Sequence, residues 1–135
     1  MYRTALCLTD SIEASDLLKE ALGPYCKVTC RDTVLSALQE LKDILPDLVV
    51  VQVGLRSESC FDFLKPAQLA TAARLIPMIA FSAENHFHES IESFLRKACL
   101  FFGCLGYLKA DEFRSSELGL ELAKHLRDRS LCRAS

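Results

Sequence analysis

Four short stretches carry polar groups where apolar runs end: Thr9-Asp10, Gln52 to Arg56, Ser82 to Glu84, and Lys109 to Asp111. Thr9 and Ser82 offer hydroxyls, Gln52 an amide, Asp10 a carboxylate, and Arg56 and Lys109 cations. Such groups bind by hydrogen bonds and ion pairs. Gln52 is a poor nucleophile and brings no charge to a Mg²⁺ site, which needs oxygen ligands and negative charge. An ordinary salt bridge from Lys109 or Arg56 to Asp10 is expected in preference to an anion site.

Other clusters carry less. His86, His88 and Glu89 read as a solvated helix start, because residues two apart on a helix point in different directions. No metal site is expected. Of the seven cysteines, Cys7, Cys26, Cys30, Cys60, Cys99, Cys104 and Cys132, several lie in apolar runs and read as small hydrophobes. The count is odd and no Cys-x-x-Cys occurs, so reduced thiols in a cytoplasmic protein are expected. On one strand Cys26 and Cys30 would lie about 13 Å apart, too far for a disulfide. Cys60 and Cys104 have no strongly basic neighbours to make them redox sensors.

The elements that must hold these groups alternate. Strands are expected at Arg3–Leu8, Tyr25–Cys30, Leu48–Val53, Pro77–Phe81 and Cys104–Leu108. Helical spacing fills the gaps. Asp10 or Ser11 caps a helix through Leu22, with Ile12, Leu17, Leu18, Ala21 and Leu22 as its stripe. Asp32 caps a second, with Val34, Leu38, Leu41 and Leu45. A third covers Phe61–Ala73, broken or restarted at Pro66. Asn85–Leu100 turns Phe87, Ile91, Phe94 and Leu95 inward, and Phe101-Phe102 either continue the core or begin an exposed apolar partner surface. Ser115 or Ser116 caps a last helix through about Arg129. The Leu48–Val53 run is apolar except at Gln52, as in a parallel strand buried on both faces. Five β-α units imply an α/β fold: a doubly wound five-stranded parallel sheet between two helical layers, one domain over residues 1–135. Ligands of such folds sit at the carboxyl ends of the strands, where the four polar stretches fall.

Composition narrows the classes. The formal net charge is −2, giving no basic field for nucleic acid. No apolar run approaches the ~20 residues of a membrane span. The five glycines are scattered and none forms G-x-G-x-x-G, so no phosphate loop or cofactor is expected.

The order of motifs resembles the receiver domain of two-component response regulators, a flavodoxin-like (βα)5 fold with strand order 2-1-3-4-5. Pro46-Asp47-Leu48-Val49-Val50-Val51-Gln52 resembles the family's third strand, Ser82-Ala83-Glu84 its Thr/Ser-Ala switch, and Gly103-Cys104-Leu105-Gly106-Tyr107-Leu108 its entry to strand five. Leu55 and Phe61 fall on apolar loop positions, while Arg56 and Cys60 replace the usual proline and glycine. Tyr107 stands at the aromatic switch position. The Ser82 to Tyr107 interval is longer than usual, with the surplus in Asn85–Phe102.

The resemblance also marks what is missing. Gln52 stands where the family has its phosphoacceptor aspartate, Thr9-Asp10 where it has an acidic pair, and Ala110 then Asp111 where it has lysine then proline. Lys109 falls one residue early, which turns a strand side chain to the opposite face unless a bulge intervenes. Three carboxylates become one. The implied protein is a pseudo-receiver: a non-enzymatic signalling module that works through protein contacts on the helix-four to helix-five face, with Tyr107 and Ser82 at the switch. Its partner would be a sensor kinase or another regulatory protein, with a homodimer through that face as one option, and neither nucleic acid nor membrane. Two rivals stand beside it: a divergent receiver phosphorylated on Asp10 or Asp62, and a flavodoxin-like module for a small ligand.

Overall fold

A computed structural model describes residues 3–83 and 89–127. Strands and helices alternate as β1 (Thr4–Leu8), α1 (Ile12–Leu22), β2 (Lys27–Arg31), α2 (Val34–Ile44), β3 (Leu48–Gln52), α3 (Cys60–Arg74), β4 (Met78–Ser82), α4 (Glu89–Phe101), β5 (Gly106–Lys109) and α5 (Ser115–Ala123), with a 3₁₀ turn at Ala110–Glu112. The strands form one parallel sheet in the order β2-β1-β3-β4-β5. Fold class and strand order match the sequence reading.

The two strand faces sort into two cores. Leu6, Leu8, Val49, Val51, Met78 and Tyr107 pack with α2, α3 and Cys99 of α4. Ala5, Cys7, Leu48, Val50, Ile79 and Phe81 pack against α1 and α5. Every residue of β3 and β4 is buried. On the second face α5 comes so close to α1 that a Cβ on Gly119 would lie 2.2 Å from the Ala21 carbonyl oxygen, so only glycine fits.

Several boundaries differ from expectation. Thr33, not Asp32, caps α2 by accepting from the Ser36 N–H. α3 runs unbroken through Pro66, whose side chain is exposed. Proline offers no N–H to the Asp62 carbonyl one turn earlier. β2 begins at Lys27 and β5 at Gly106, later than read, because each is preceded by a turn after its helix. α5 ends at Ala123 and starts after Arg114 without a side-chain cap, while Ser115 bonds Glu20 instead.

α4 is rotated from the expected setting. Ile91 and Phe94 are 49% and 67% exposed, Glu92 and Cys99 are buried, and Leu95 is half-buried. Phe87 lies outside the described residues. Phe102 packs on Phe61 with ring centroids 5.6 Å apart, whereas Phe101 is exposed. Ile12 and Leu45 also face outward. Leu45 takes a left-handed backbone (φ 46°) to end α2 ahead of Pro46.

At the amino end of β3 the fully buried Asp47 fastens three segments. Its Oδ2 accepts the Thr4 N–H at 2.9 Å, its Oδ1 meets Arg127 Nη2 at 3.2 Å, and its carbonyl accepts the Arg127 N–H at 2.8 Å. Arg127 Nη1 also donates to the Arg74 carbonyl at 2.8 Å. Removing one partner strands the other charge in low dielectric. Asp47→Ala is expected to lose about 3–5 kcal/mol in urea unfolding; a loss below about 1 kcal/mol would show the pair to be dispensable.

Candidate functional site

The strand order brings the carboxyl ends of β1, β3 and β4 side by side. Thr9 and Asp10 leave β1, Gln52 ends β3, and Ser82 ends β4. The Thr9 N–H stays bonded to the Arg31 carbonyl, and the Val53 N–H to that of Phe81. These backbone bonds extend the sheet one step past the strands and hold the polar side chains at fixed height.

Gln52 turns inward and is 6% exposed. Its Oε1 accepts from the Thr9 hydroxyl at 2.5 Å, and its Nε2 lies 3.5 Å from Asp10 Oδ1. Asp10 Oδ2 accepts the Arg56 backbone N–H at 2.5 Å. The Thr9 hydroxyl is thus the partner of the Gln52 oxygen. The expected Arg56–Asp10 salt bridge is replaced by a bond from the Arg56 main chain, because the loop after β3 passes its backbone, not its guanidinium, over the carboxylate.

Lys109 does not provide the other expected bridge. Its Nζ is 3.9 Å from Glu112 Oε1, one 3₁₀ turn away. It sits opposite Ser82 in the β4–β5 register, and Ala110 is buried in the α1/α5 core. No bulge brings Lys109 round: the turn at Ala110 carries its side chain to Glu112.

This donor set does not suit a magnesium ion. The one carboxylate has an oxygen engaged by a main-chain N–H and the other beside an amide N–H, and the Gln52 oxygen is taken by a hydroxyl. Among the described residues no group of three or more His, Cys, Asp or Glu is arranged to hold a metal. His86 and His88 lie outside the described residues, and Glu89 is exposed. The other acid considered, Asp62, is exposed in the first turn of α3.

Tyr107 is the second centre. It is 5% exposed, and its hydroxyl donates to Glu92 Oε1 at 3.0 Å. The Arg96 guanidinium covers the ring 5.0 Å from its centroid, and Arg96 Nη1 reaches the Tyr107 carbonyl at 3.4 Å. Burial, then the Glu92 carboxylate, push the Tyr107 hydroxyl well above its usual ionisation, while the buried Ser82 hydroxyl acts in the opposite sense. Ser82 and Tyr107 thus touch, as the sequence positions suggested, but Tyr107 is core and not exposed contact surface.

Glu92 and Arg96 were missed by the sequence reading. A signal existed: Glu92 falls with Leu95, Cys99 and Phe102 at helical spacing, and a carboxylate on a buried stripe implies a polar partner. The outward side of α4 and the following loop instead presents Ile91, Phe94, Phe101 and Leu105.

No protein-family model matches the sequence, and no curated protein is significantly similar to it. The fold is that of receiver domains. The chemotaxis response regulator CheY4 of Vibrio cholerae superposes with a TM-score of 0.74 at 19% identity, covering 93% of this chain and all of that one. The signal receiver domain of an HD domain-containing protein from Pseudomonas fluorescens gives 0.76 at 18%, covering 98% and 93%. NtrX from Brucella abortus gives 0.78 at 20%, covering 99% of this chain and 29% of that longer one.

Thr9→Val keeps the shape but leaves the buried Gln52 oxygen without its donor, so stability should fall by about 1–3 kcal/mol in urea unfolding. Adding Gln52→Leu should recover most of that loss; a double variant no better than the single one would rule out the bond as its cause.

Tyr107 yields a pH signature. Its folded pKa lies above the ~10 of a free tyrosine, so the unfolded chain ionises first. This contribution to stability is intact below pH ~10 and declines as pH rises towards the folded value. Comparing unfolding of the wild type and Tyr107→Phe from pH 8 to 11 should show an extra decline only in the wild type; parallel curves would mean that the hydroxyl is not held protonated.

Proposed function

We propose that this chain is a receiver-like regulatory module that acts through protein–protein contact and carries no aspartyl phosphate. The observation that supports it best is the Gln52 side chain, buried and bonded to Thr9 at the place where a receiver would need a charged nucleophile. An amide there neither attacks phosphorus nor draws in a metal ion. The loss is not isolated: Thr9 and Ala110 remove a second acid and the lysine, and Lys109 serves Glu112.

The binding half of the scaffold is intact. Tyr107, Ser82, Glu92 and Arg96 couple the end of β4 to the packing of α4. The apolar side chains Ile91, Phe94, Phe101 and Leu105 are outward on the same helix and its exit. Such a row fits a protein partner better than a small molecule, and a sensor kinase, another regulator or a second copy of the chain would all meet it. No described helix is long and apolar enough to cross a membrane.

The rival reading, phosphorylation of Asp10 or Asp62, is tested directly. The wild-type chain is incubated with acetyl phosphate and Mg²⁺, with a phosphorylatable receiver alongside as control, and its intact mass is measured. The control should gain one phosphoryl group and this chain none; a gain on this chain, mapped to either acid, would overturn the proposal.

A further inference from the structure

We propose that Cys7 and Cys30 are an oxidisable dithiol site, in which a hydroperoxide entering the cleft beside α1 oxidises Cys30 and Cys7 converts the product to a disulfide joining β1 to β2.

The register supplies the geometry. Cys7 and Cys30 are direct partners in the parallel β1–β2 ladder. Partner residues of adjacent parallel strands point to the same face, and neighbouring strands run about 4.8 Å apart. That lies within the ~4.4–6.8 Å between Cα atoms that a disulfide bridges. Both side chains pack in the α1/α5 core. β2 is the sheet's edge strand, so closing the bond need shift it on one side only.

The two thiols differ in access. Cys7 is fully buried. Cys30 is half-buried and lines a surface cleft of about 410 Å³ with Ser15, Lys19, Arg31 and Asp10. The neighbouring Cys7 thiol lowers the Cys30 pKa to about 6, against its burial, with help from the Ser15 hydroxyl and the Lys19 ammonium and opposition from Asp16. Cys7 itself is raised and keeps its proton. The other described thiols lack this arrangement. Burial pushes Cys26 up to about 11. Cys60, Cys99 and Cys104 are buried together; Cys99 and burial push Cys60 up, and Cys104 and burial push Cys99 up to about 12 against the opposing effect of Cys60.

The chemistry balances in two steps. The Cys30 thiolate attacks the terminal oxygen of ROOH; the O–O bond breaks, the departing RO⁻ takes a proton from water, and Cys30 becomes a sulfenic acid, oxidised by two electrons. The Cys7 sulfur, losing its proton, then attacks the Cys30 sulfur; the S–O bond breaks, water leaves, and the disulfide forms. A thiol reductant returns both groups to the start. The cleft shares Asp10 with the Gln52 site, whose hydrogen bonds involve neither thiol.

The test treats the native wild-type chain with one equivalent of hydrogen peroxide, blocks remaining thiols in denaturant, and maps tryptic peptides by mass. The expected product joins the peptide of residues 4–19 to that of residues 28–31, disappears on reduction, and forms about tenfold faster than any other thiol modification. In Cys7→Ser the reaction should stop at a dimedone-trappable sulfenic acid on Cys30. If Cys26 or another cysteine reacts first, or the two peptides never join in the folded wild type, the proposal fails.

Discussion

The burial of β3 on both faces is the constraint from which the rest of the molecule follows. Its residues are all screened by helices, so the strand accepts only apolar side chains along its length. Polar groups are pushed to its two ends, Asp47 before it and Gln52 closing it, and both are buried there as well. Neither is left to water. Each is satisfied by groups from segments brought near by the parallel topology.

The two ends solve the same problem with opposite electrostatics. Asp47 keeps a charge and draws in Arg127 and the start of β1, so it acts as a structural rivet. Gln52 is neutral and meets a hydroxyl and the edge of a carboxylate, so it closes the carboxyl end without demanding a cation. The chain therefore puts its strongest buried charge at the end away from the strand termini where α/β folds bind ligands.

Much of this was legible in the residues. The β-branched run Val49 to Val51 announced the central strand, and alternation with helical stripes implied a parallel sheet with right-handed crossovers, while the strand order came with the resemblance to receiver domains. Gln52 could be placed because a strand end is easily located. The setting of α4 could not, because two adjacent stripes are apolar enough to bury: Phe87, Ile91 and Phe94, or Leu95, Cys99 and Phe102. The choice is made by Tyr107, whose hydroxyl needs Glu92 and whose ring takes Arg96. Such a tertiary demand outweighs a periodicity count. The juxtaposition of Cys7 with Cys30 was hidden for a related reason: register between two strands depends on where β2 begins, and a boundary shift of two residues changes every cross-strand pair.

The Asp47–Arg127 pair spans 80 residues of sequence. On the ribosome, where chains emerge amino end first, all five strands and the helices from α1 to α5 are made while that carboxylate still lacks its guanidinium. A partly synthesised chain that docked β3 early would bury an uncompensated charge.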